Sequence, residues 1–376
     1  MKKFVDPIYV TRPLLPDKTE LFEAIEMILN SKQLTNMGKF HEDLEKELAR
    51  FLGVDNLVLF VNGTIALLAA LKALDLPAGS EVITTPFTFP ATPHVIPWNN
   101  LRPVFADIEP DTFTLKPDAI ERSITADTSA LLPVHVYGFP CRVEDIDDIA
   151  DRHRLRVVYD GAHAFSTELD GKSICTRGDI TAHSFHATKL FNTLEGGALA
   201  FGDKNLKQRI LDLRNFGIRN EHEVDYIGIN GKMNEIQAAF GLLNLKHVRA
   251  EQQARAVLHA RYKEELGDLE ALRIPDFPER TTNALQYFPV LVKRTKQCSR
   301  DVLYDKLRER NIIARKYFFP LCSNITPYRD LPSAAPENLP VANRIANQVL
   351  CLPFFGGLGP EKVGILCEII REIVGG

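Results

Sequence analysis

Three short stretches hold residue types that could do chemistry together. In "SFHATKLFNTLEGGALAFG", Ser184 to Gly202, Lys189 stands between two runs that read as buried strands, flanked by Thr188 and Leu190. An amine in so apolar a setting can lose its proton, and a neutral amine adds to a carbonyl to form a Schiff base. In "LRVVYDGAHAF" a buried strand ends in Asp160, with His163 three residues on. A carboxylate there is costly to bury without a cationic partner, such as a protonated ring nitrogen. In "VNGTIALLAAL" a strand ends at Asn62-Gly63-Thr64 and a helix starts at once. Gly63 allows close backbone approach, and the first helical turn offers free N–H donors at its positive end, which suits a phosphate.

Each stretch alone has a plainer reading: a snorkelling lysine, a turn-capping aspartate, a strand-to-helix cap. Together they match the three handles of pyridoxal phosphate, namely its aldehyde, its pyridine nitrogen and its phosphate. Metal chemistry is not signalled. Period-2 alternation along "ITAHSFHA" sends His183 and His186 to opposite faces, and Cys141, Cys175, Cys298, Cys322, Cys351 and Cys367 are scattered without a C-x-x-C pair. They read as reduced, structural thiols.

Composition bounds the class. With 45% hydrophobic and 25% charged residues and a net charge of −4, the chain reads as an ordinary globular protein without the basic excess of a nucleic-acid or membrane-surface binder. No segment has the ~18 uninterrupted apolar residues of a membrane span, and the opening residues lack a signal-like apolar core, so a cytoplasmic location is expected.

The elements that must position these residues alternate from about residue 57. Strand-like runs begin at Leu57, Glu81, Pro103, Ser129, Leu155, Ile180 and Gly197, with helical patterns after Thr64 and Arg142. Such alternation predicts an α/β fold with one mostly parallel, seven-stranded sheet covered on both faces, binding ligands at the carboxyl ends of its strands. After Lys232 a long helical segment runs from Met233 to Leu266, with Ile236, Phe240 and Leu243 on one face. A strand, a helix, a Pro-rich turn region and a terminal helix follow, a smaller α+β unit. The chain exceeds a single core's usual size, so residues 1–250 are expected to form the large ligand-binding domain and 251–376 the small one.

The ordered motifs "NGTIAL", "TTPFTFPAT", "PVHVYGFPC", "VVYDGAHAF", "SFHATKLFNTLEGGALAF" and "GINGKMNEIQAAFGLL" resemble the DegT/StrS family of nucleotide-sugar aminotransferases, over nearly the whole chain. The resemblance implies the pyridoxal-phosphate-dependent aminotransferase fold type I. It also implies the cofactor itself, pyridoxal 5'-phosphate, with pyridoxamine 5'-phosphate as intermediate. Lys189 resembles the lysine that forms the Schiff base and moves protons, and Asp160 the partner of the pyridine nitrogen. Gly63, Thr64 and Ser184 match phosphate contacts. Phe89 sits where an aromatic packs on the cofactor ring, and His163 where a Gln or His contacts the ring hydroxyl. Asn230 matches an asparagine reaching the phosphate from a neighbouring subunit, which implies a homodimer with its sites at the interface. His186, Lys316 and Tyr317 are candidates for substrate contact, the last two because "ARKYFFPL" occupies the family's substrate loop.

The implied partners are L-glutamate and a keto nucleotide sugar, with neither nucleic acid nor membrane. Two of the motifs further resemble members that aminate carbon 4 of dTDP-4-keto-6-deoxyglucose, making a deoxyamino sugar of the kind used in O-antigen and lipopolysaccharide. Another keto sugar, 3-keto or GDP-linked, and a non-catalytic cofactor-binding regulator are the alternatives. Relatives that act as dehydratases carry histidine at the position of Lys189. The chain departs from the family pattern at Leu194 and Gly161, where Gly and Ala are common, at Gly231-Lys232, where Tyr-Arg is common, and at "YFFPLC".

Overall fold

Seven strands form one sheet in a computed structural model that describes residues 2–296 and 298–375. In chain order they are β1 (Asn56–Phe60), β2 (Glu81–Thr84), β3 (Arg102–Phe105), β4 (Thr128–Leu132), β5 (Arg156–Asp160), β6 (Ile180–Ser184) and β7 (Gly197–Phe201). Their spatial order is β1-β7-β6-β5-β4-β2-β3. The pairs from β6 through β3 are parallel, whereas β7 is antiparallel to both β6 and β1. The seven expected runs and the mostly parallel sheet are therefore present, and the carboxyl ends of β1, β5 and β6 lie along one edge.

Both faces are covered, which explains the near-continuous apolar runs. Along β1, Val58 and Phe60 pack with Ala66, Leu67, Ala70 and Leu71 of helix α1 (Gly63–Ala73). The alternate residues Leu57 and Leu59 enter a second core with Leu44, Leu48, Phe185 and Phe191. Along β5, Val158 joins the α1 side, while Val157 and Tyr159 meet Val143, Ile146 and Ile149 of helix α2 (Val143–His153). The Val, Leu, Ile and Phe side chains among them each stabilise the fold by roughly 1.5–3 kcal/mol when fully buried.

The helical segment after Lys232 is two helices, α3 (Glu235–Leu245) and α4 (Val248–Leu266), where periodicity had suggested one. No Pro or Gly marks the break. Asn244, fully buried, spends its side-chain N–H groups on the carbonyls of Leu14 and Asn192, and α4 then runs from the core it shares with α3 at Val248 to that of the small unit at Leu258. Phe240 and Leu243 are buried as expected, but Ile236 is exposed.

Leu258, Tyr262 and Leu266 of α4 pack on a three-stranded antiparallel sheet of β8 (Leu272–Arg273), β9 (Phe288–Val292) and β10 (Val349–Leu352), together with helices α5 (Arg300–Glu309) and α6 (Pro360–Gly375). Position 250 falls inside α4. Residues 8 and 9, expected with the large unit, instead pair in parallel with Ile312 and Ile313, because Ile8 buries into the core of the small unit. All six cysteines are free and buried. Among the described residues, no helix is long and apolar enough to cross a membrane.

Candidate active site

At the carboxyl edge of the sheet lies a cavity of about 540 Å³, lined by Gly63, Thr64, Phe89, Asp160, His163, Ser184, His186, Lys189 and Tyr317 among others. Sheet geometry brings them together. Gly197, at the start of β7, pairs with Phe60 on one side and Ser184 on the other, so the ends of β1 and β6 flank it. A Cβ on Gly197 would come within 2.7 Å of the Asn62 carbonyl and the Gly63 nitrogen. Glycine there lets the start of α1 approach the sheet.

That helix start is built for an anion. Asn62 caps α1 by accepting the N–H of Ile65 at 2.9 Å, leaving the N–H groups of Gly63 and Thr64 without helical acceptors. A Cβ at Gly63 would stand 2.8 Å from Ser184 Cβ and 3.1 Å from its Oγ, so the Ser184 hydroxyl lies directly beside those donors.

Asp160 is 5% exposed. Its Oδ2 accepts the Thr92 hydroxyl at 2.7 Å and its Oδ1 the Ala162 N–H at 3.0 Å. Burial raises its pKa above the ordinary carboxylate value, against the opposing effects of those two donors and of Lys189. The site asks for a cation at this carboxylate.

Lys189 is half-buried where it lines the cavity. Burial pushes its ammonium down to about 8, with Asp160 acting in the opposite direction. His163 is buried and its Nδ1 accepts the Tyr137 N–H at 3.3 Å, which leaves the proton on Nε2. Burial, and then Lys189, hold its pKa well below the usual value, so the ring is neutral. Phe318 and Tyr137 lie nearly parallel to that ring at centroid distances of 5.7 and 6.2 Å.

At the mouth, His186 Nδ1 accepts from the Thr188 hydroxyl at 2.8 Å and the Thr188 N–H at 3.2 Å. Its Nε2 faces Glu195 Oε1 at 3.6 Å, and both residues line the cavity. Phe89 is 61% exposed over the opening.

Two expected residues lie elsewhere. Lys316 turns away from the cavity, pairing with Asp301 and lying 4.3 Å from the ring centre of Tyr304. That local carboxylate and ring satisfy its charge outside the cavity. Asn230 is exposed and bridges Asn215 through the backbone, outside the cavity lining of this chain. Thr92, Tyr287, Arg315 and Phe318 also line the cavity and were not singled out from sequence. Thr92 lay within the quoted "TTPFTFPAT" motif, but nothing in its type distinguished it from its neighbours.

The departures have local reasons. A Cβ at Gly161 would meet Thr181 Cγ2 at 2.9 Å and His183 Cε1 at 3.1 Å, so alanine does not fit without a shift. Lys232 donates to Asn215 Oδ1 at 2.7 Å.

The donor set fits pyridoxal phosphate. The N–H groups of the helix start and the Ser184 hydroxyl suit a phosphate, the buried carboxylate held by Thr92 and Ala162 suits a protonated ring nitrogen, and an amine with a lowered pKa can condense with a carbonyl.

Comparison with known proteins agrees with this chemistry. The chain matches the DegT/DnrJ/EryC1/StrS aminotransferase family over residues 16–371. It is 42% identical to a dTDP-4-amino-4,6-dideoxy-D-glucose transaminase of Shigella dysenteriae, covering 98% of this chain and 99% of that protein. It is 44% identical to the Escherichia coli protein of the same name, covering 98% of each. The crystal structure of DesI with its TDP-sugar product superposes with a TM-score of 0.93 at 35% identity, covering 99% of this chain and 94% of that one. The chain belongs to the DegT/DnrJ/EryC1/StrS aminotransferase family and is a pyridoxal-phosphate-dependent aminotransferase of keto nucleotide sugars.

Proposed function

We propose that this enzyme transfers the amino group of L-glutamate to carbon 4 of dTDP-4-keto-6-deoxyglucose, giving dTDP-4-amino-4,6-dideoxyglucose and 2-oxoglutarate. The observation that carries the site reading is the convergence of Lys189, Asp160 and the Gly63-Thr64 helix start on one cavity. The choice of sugar rests on the full-length relatives of that activity.

Pyridoxal phosphate, when bound, supplies an electron sink for carbanion charge and a carrier for the amino group. The residues of the chain do the rest. Gly63, Thr64 and Ser184 hold the phosphate with two backbone N–H groups and a hydroxyl. Asp160, whose ionised form Ala162 and Thr92 favour against the effect of burial, would hold a proton on the ring nitrogen. His163 donates from Nε2 toward the ring hydroxyl, and Phe89 covers the ring at the mouth. Lys189 Nζ would hold the cofactor through its aldehyde and, when free, would take up and return a proton as a general base and then a general acid. Its lowered pKa near 8 suits both roles near neutral pH.

In this reading residues 1–250 carry the cofactor site and 251–376 form the small domain, which adds Tyr287, Arg315, Tyr317 and Phe318 to the cavity wall. The active unit is a homodimer. Asn230 reaches the phosphate of the neighbouring subunit, consistent with its exposure here, and exposed Phe216, Val224 and Ile227 nearby are suited to burial against a second copy. His186 and Tyr317 meet the substrate at the mouth. Lys316 keeps a candidate role only if the Asp301 pair opens.

The test is to incubate the protein with glutamate and a panel of keto-sugar nucleotides, 4-keto and 3-keto, dTDP- and GDP-linked, and to identify the aminated product. Amination of the dTDP-4-keto sugar is expected. Preference for a 3-keto or GDP-linked sugar would replace the substrate assignment, and cofactor binding without any amination would favour a regulator.

A further inference from the structure

Lys189 sits in the irregular loop between β6 and β7, where the strand ladder has ended and its own N–H donates to the His186 carbonyl at 2.8 Å. One side chain from beyond α4 holds the peptide groups on either side of it. Gln286, just ahead of β9, is 1% exposed. Its Oε1 accepts the N–H of Leu190 at 2.7 Å, and its Nε2 donates to the carbonyl of Thr188 at 3.0 Å. The peptide groups before and after Lys189 are thus gripped by one planar amide, in the paired donor-and-acceptor pattern by which one strand holds the next.

Gln286 is itself anchored. Arg255 of α4, 1% exposed, donates to the carbonyls of Leu285 at 3.0 Å and Gln286 at 3.3 Å. The same guanidinium pairs with Glu251 at 2.6 Å, and Glu251 also accepts the N–H of Gly356 at 2.8 Å. A continuous polar chain therefore runs from the loop after β10, through α4, to the backbone of Lys189.

We propose that Gln286 is a positioning residue for Lys189, pinning its main chain so that the side chain can leave and return to one fixed place during each catalytic cycle. The inference rests on the reading of Lys189 as the reactive amine. A fixed main chain matters because an amine that swings away must come back in line with the reacting carbon, and a misplacement near 1 Å costs on the order of 100-fold in rate. No other amino-acid type reproduces both contacts at that reach. Glutamate keeps the acceptor and loses the donor, and methionine keeps the volume and loses both.

The test uses the full-length chain as wild type, Gln286→Met, Gln286→Glu and Lys189→Ala. In the cofactor-loaded enzyme, kcat and KM for the keto sugar are measured. In the cofactor-free protein, the pH midpoint of acetic anhydride labelling at Lys189 is read by mass spectrometry, alongside thermal stability. For Gln286→Met, kcat should fall about 10- to 100-fold with KM changed less than about threefold, and the labelling midpoint should move. For Gln286→Glu, the midpoint should move upward, since an added carboxylate favours the ammonium. A Gln286→Met enzyme with wild-type kcat and midpoint overturns the proposal. So does a kcat loss with an unmoved midpoint that simply tracks lost folded protein. Where Gln286→Met does not fold, unchanged kcat and midpoint in Gln286→Glu overturn it equally. Turnover surviving in Lys189→Ala would instead overturn the underlying reading, whereas an inactive Lys189→Ala beside an unaffected Gln286→Met removes this inference alone.

Discussion

Thr92 and Asp160, 68 residues apart in the chain, meet at 2.7 Å, the threonine hydroxyl donating to Oδ2 of the carboxylate. The Thr92 oxygen lies 2.8 Å from the Thr88 hydroxyl, so a short hydroxyl chain leads to the carboxylate. Burial works to protonate Asp160, and these donors work to keep it ionised. The balance between the two decides whether the carboxylate can hold a protonated ring nitrogen.

Thr92→Val keeps the shape and removes the donor. Hydrogen bonds to charged groups contribute about 1.5–3 kcal/mol, so cofactor affinity should weaken about 10-fold or more in equilibrium dialysis. Asp160→Asn removes the charge itself and should lower turnover by at least about 100-fold, the scale seen when one electrostatic contact is lost from a water-excluded site. Both variants should fold as the parent does.

Lys189 gives a pH signature in the cofactor-free protein. Its pKa falls from an ordinary lysine value to about 8 on folding, so between about pH 8 and the usual lysine range the unfolded chain binds more protons than the native one. Stability should therefore rise with pH across that window from this group, and the penalty of burying its charge is fully present below it. Because burial raises the pKa values of tyrosines and cysteines that titrate in this range when the chain is unfolded, the measurement is the difference in urea denaturation between wild type and Lys189→Met from pH 7 to 10. The variant's advantage should be greatest at pH 7 and shrink as pH rises.

Gly63→Ala tests the phosphate cradle. Its Cβ would meet Ser184 Cβ at 2.8 Å, so the start of α1 must move off the sheet edge. Cofactor retention in gel filtration should drop by about 10-fold or more, while the apoprotein loses at most about 1–3 kcal/mol of stability, the usual range for overpacking. Equal retention by both proteins would contradict the cradle.

Much of this site was legible because its residues lie where apolar strands stop. Asp160 and Ser184 end strands, Gly63 opens a helix after one, and all three sit at the carboxyl edge of one sheet. What stayed hidden depends on long-range packing. Gln286 and Thr92 have side chains like many others, and only the fold brings them to Lys189 and Asp160. Lys316 looked suited to a substrate anion by charge and loop position, yet Asp301 and Tyr304 hold it elsewhere. The break between α3 and α4 carries no Pro or Gly; Val248 at the start of α4 still shares a core with Ala238 of α3, and only further along do Leu258, Tyr262 and Leu266 enter the core of the small unit.

Leu194 occupies the left-handed region with φ of 68°. A side chain there costs roughly 1–2 kcal/mol, partly offset because glycine frees the unfolded chain. Leu194→Gly should raise stability by a few tenths to about 1 kcal/mol in urea denaturation. A loss would mean that Leu194 makes contacts that offset its backbone strain.

The central claim is that Lys189 is the amine that holds the cofactor and is released by the amino donor. Borohydride reduction of the loaded enzyme, followed by proteolysis and mass spectrometry, tests it directly. A pyridoxyl mass on the peptide carrying Lys189, lost when the enzyme is first treated with glutamate, is the predicted result. A modification on another lysine, or on Lys189 but untouched by glutamate, would contradict the account.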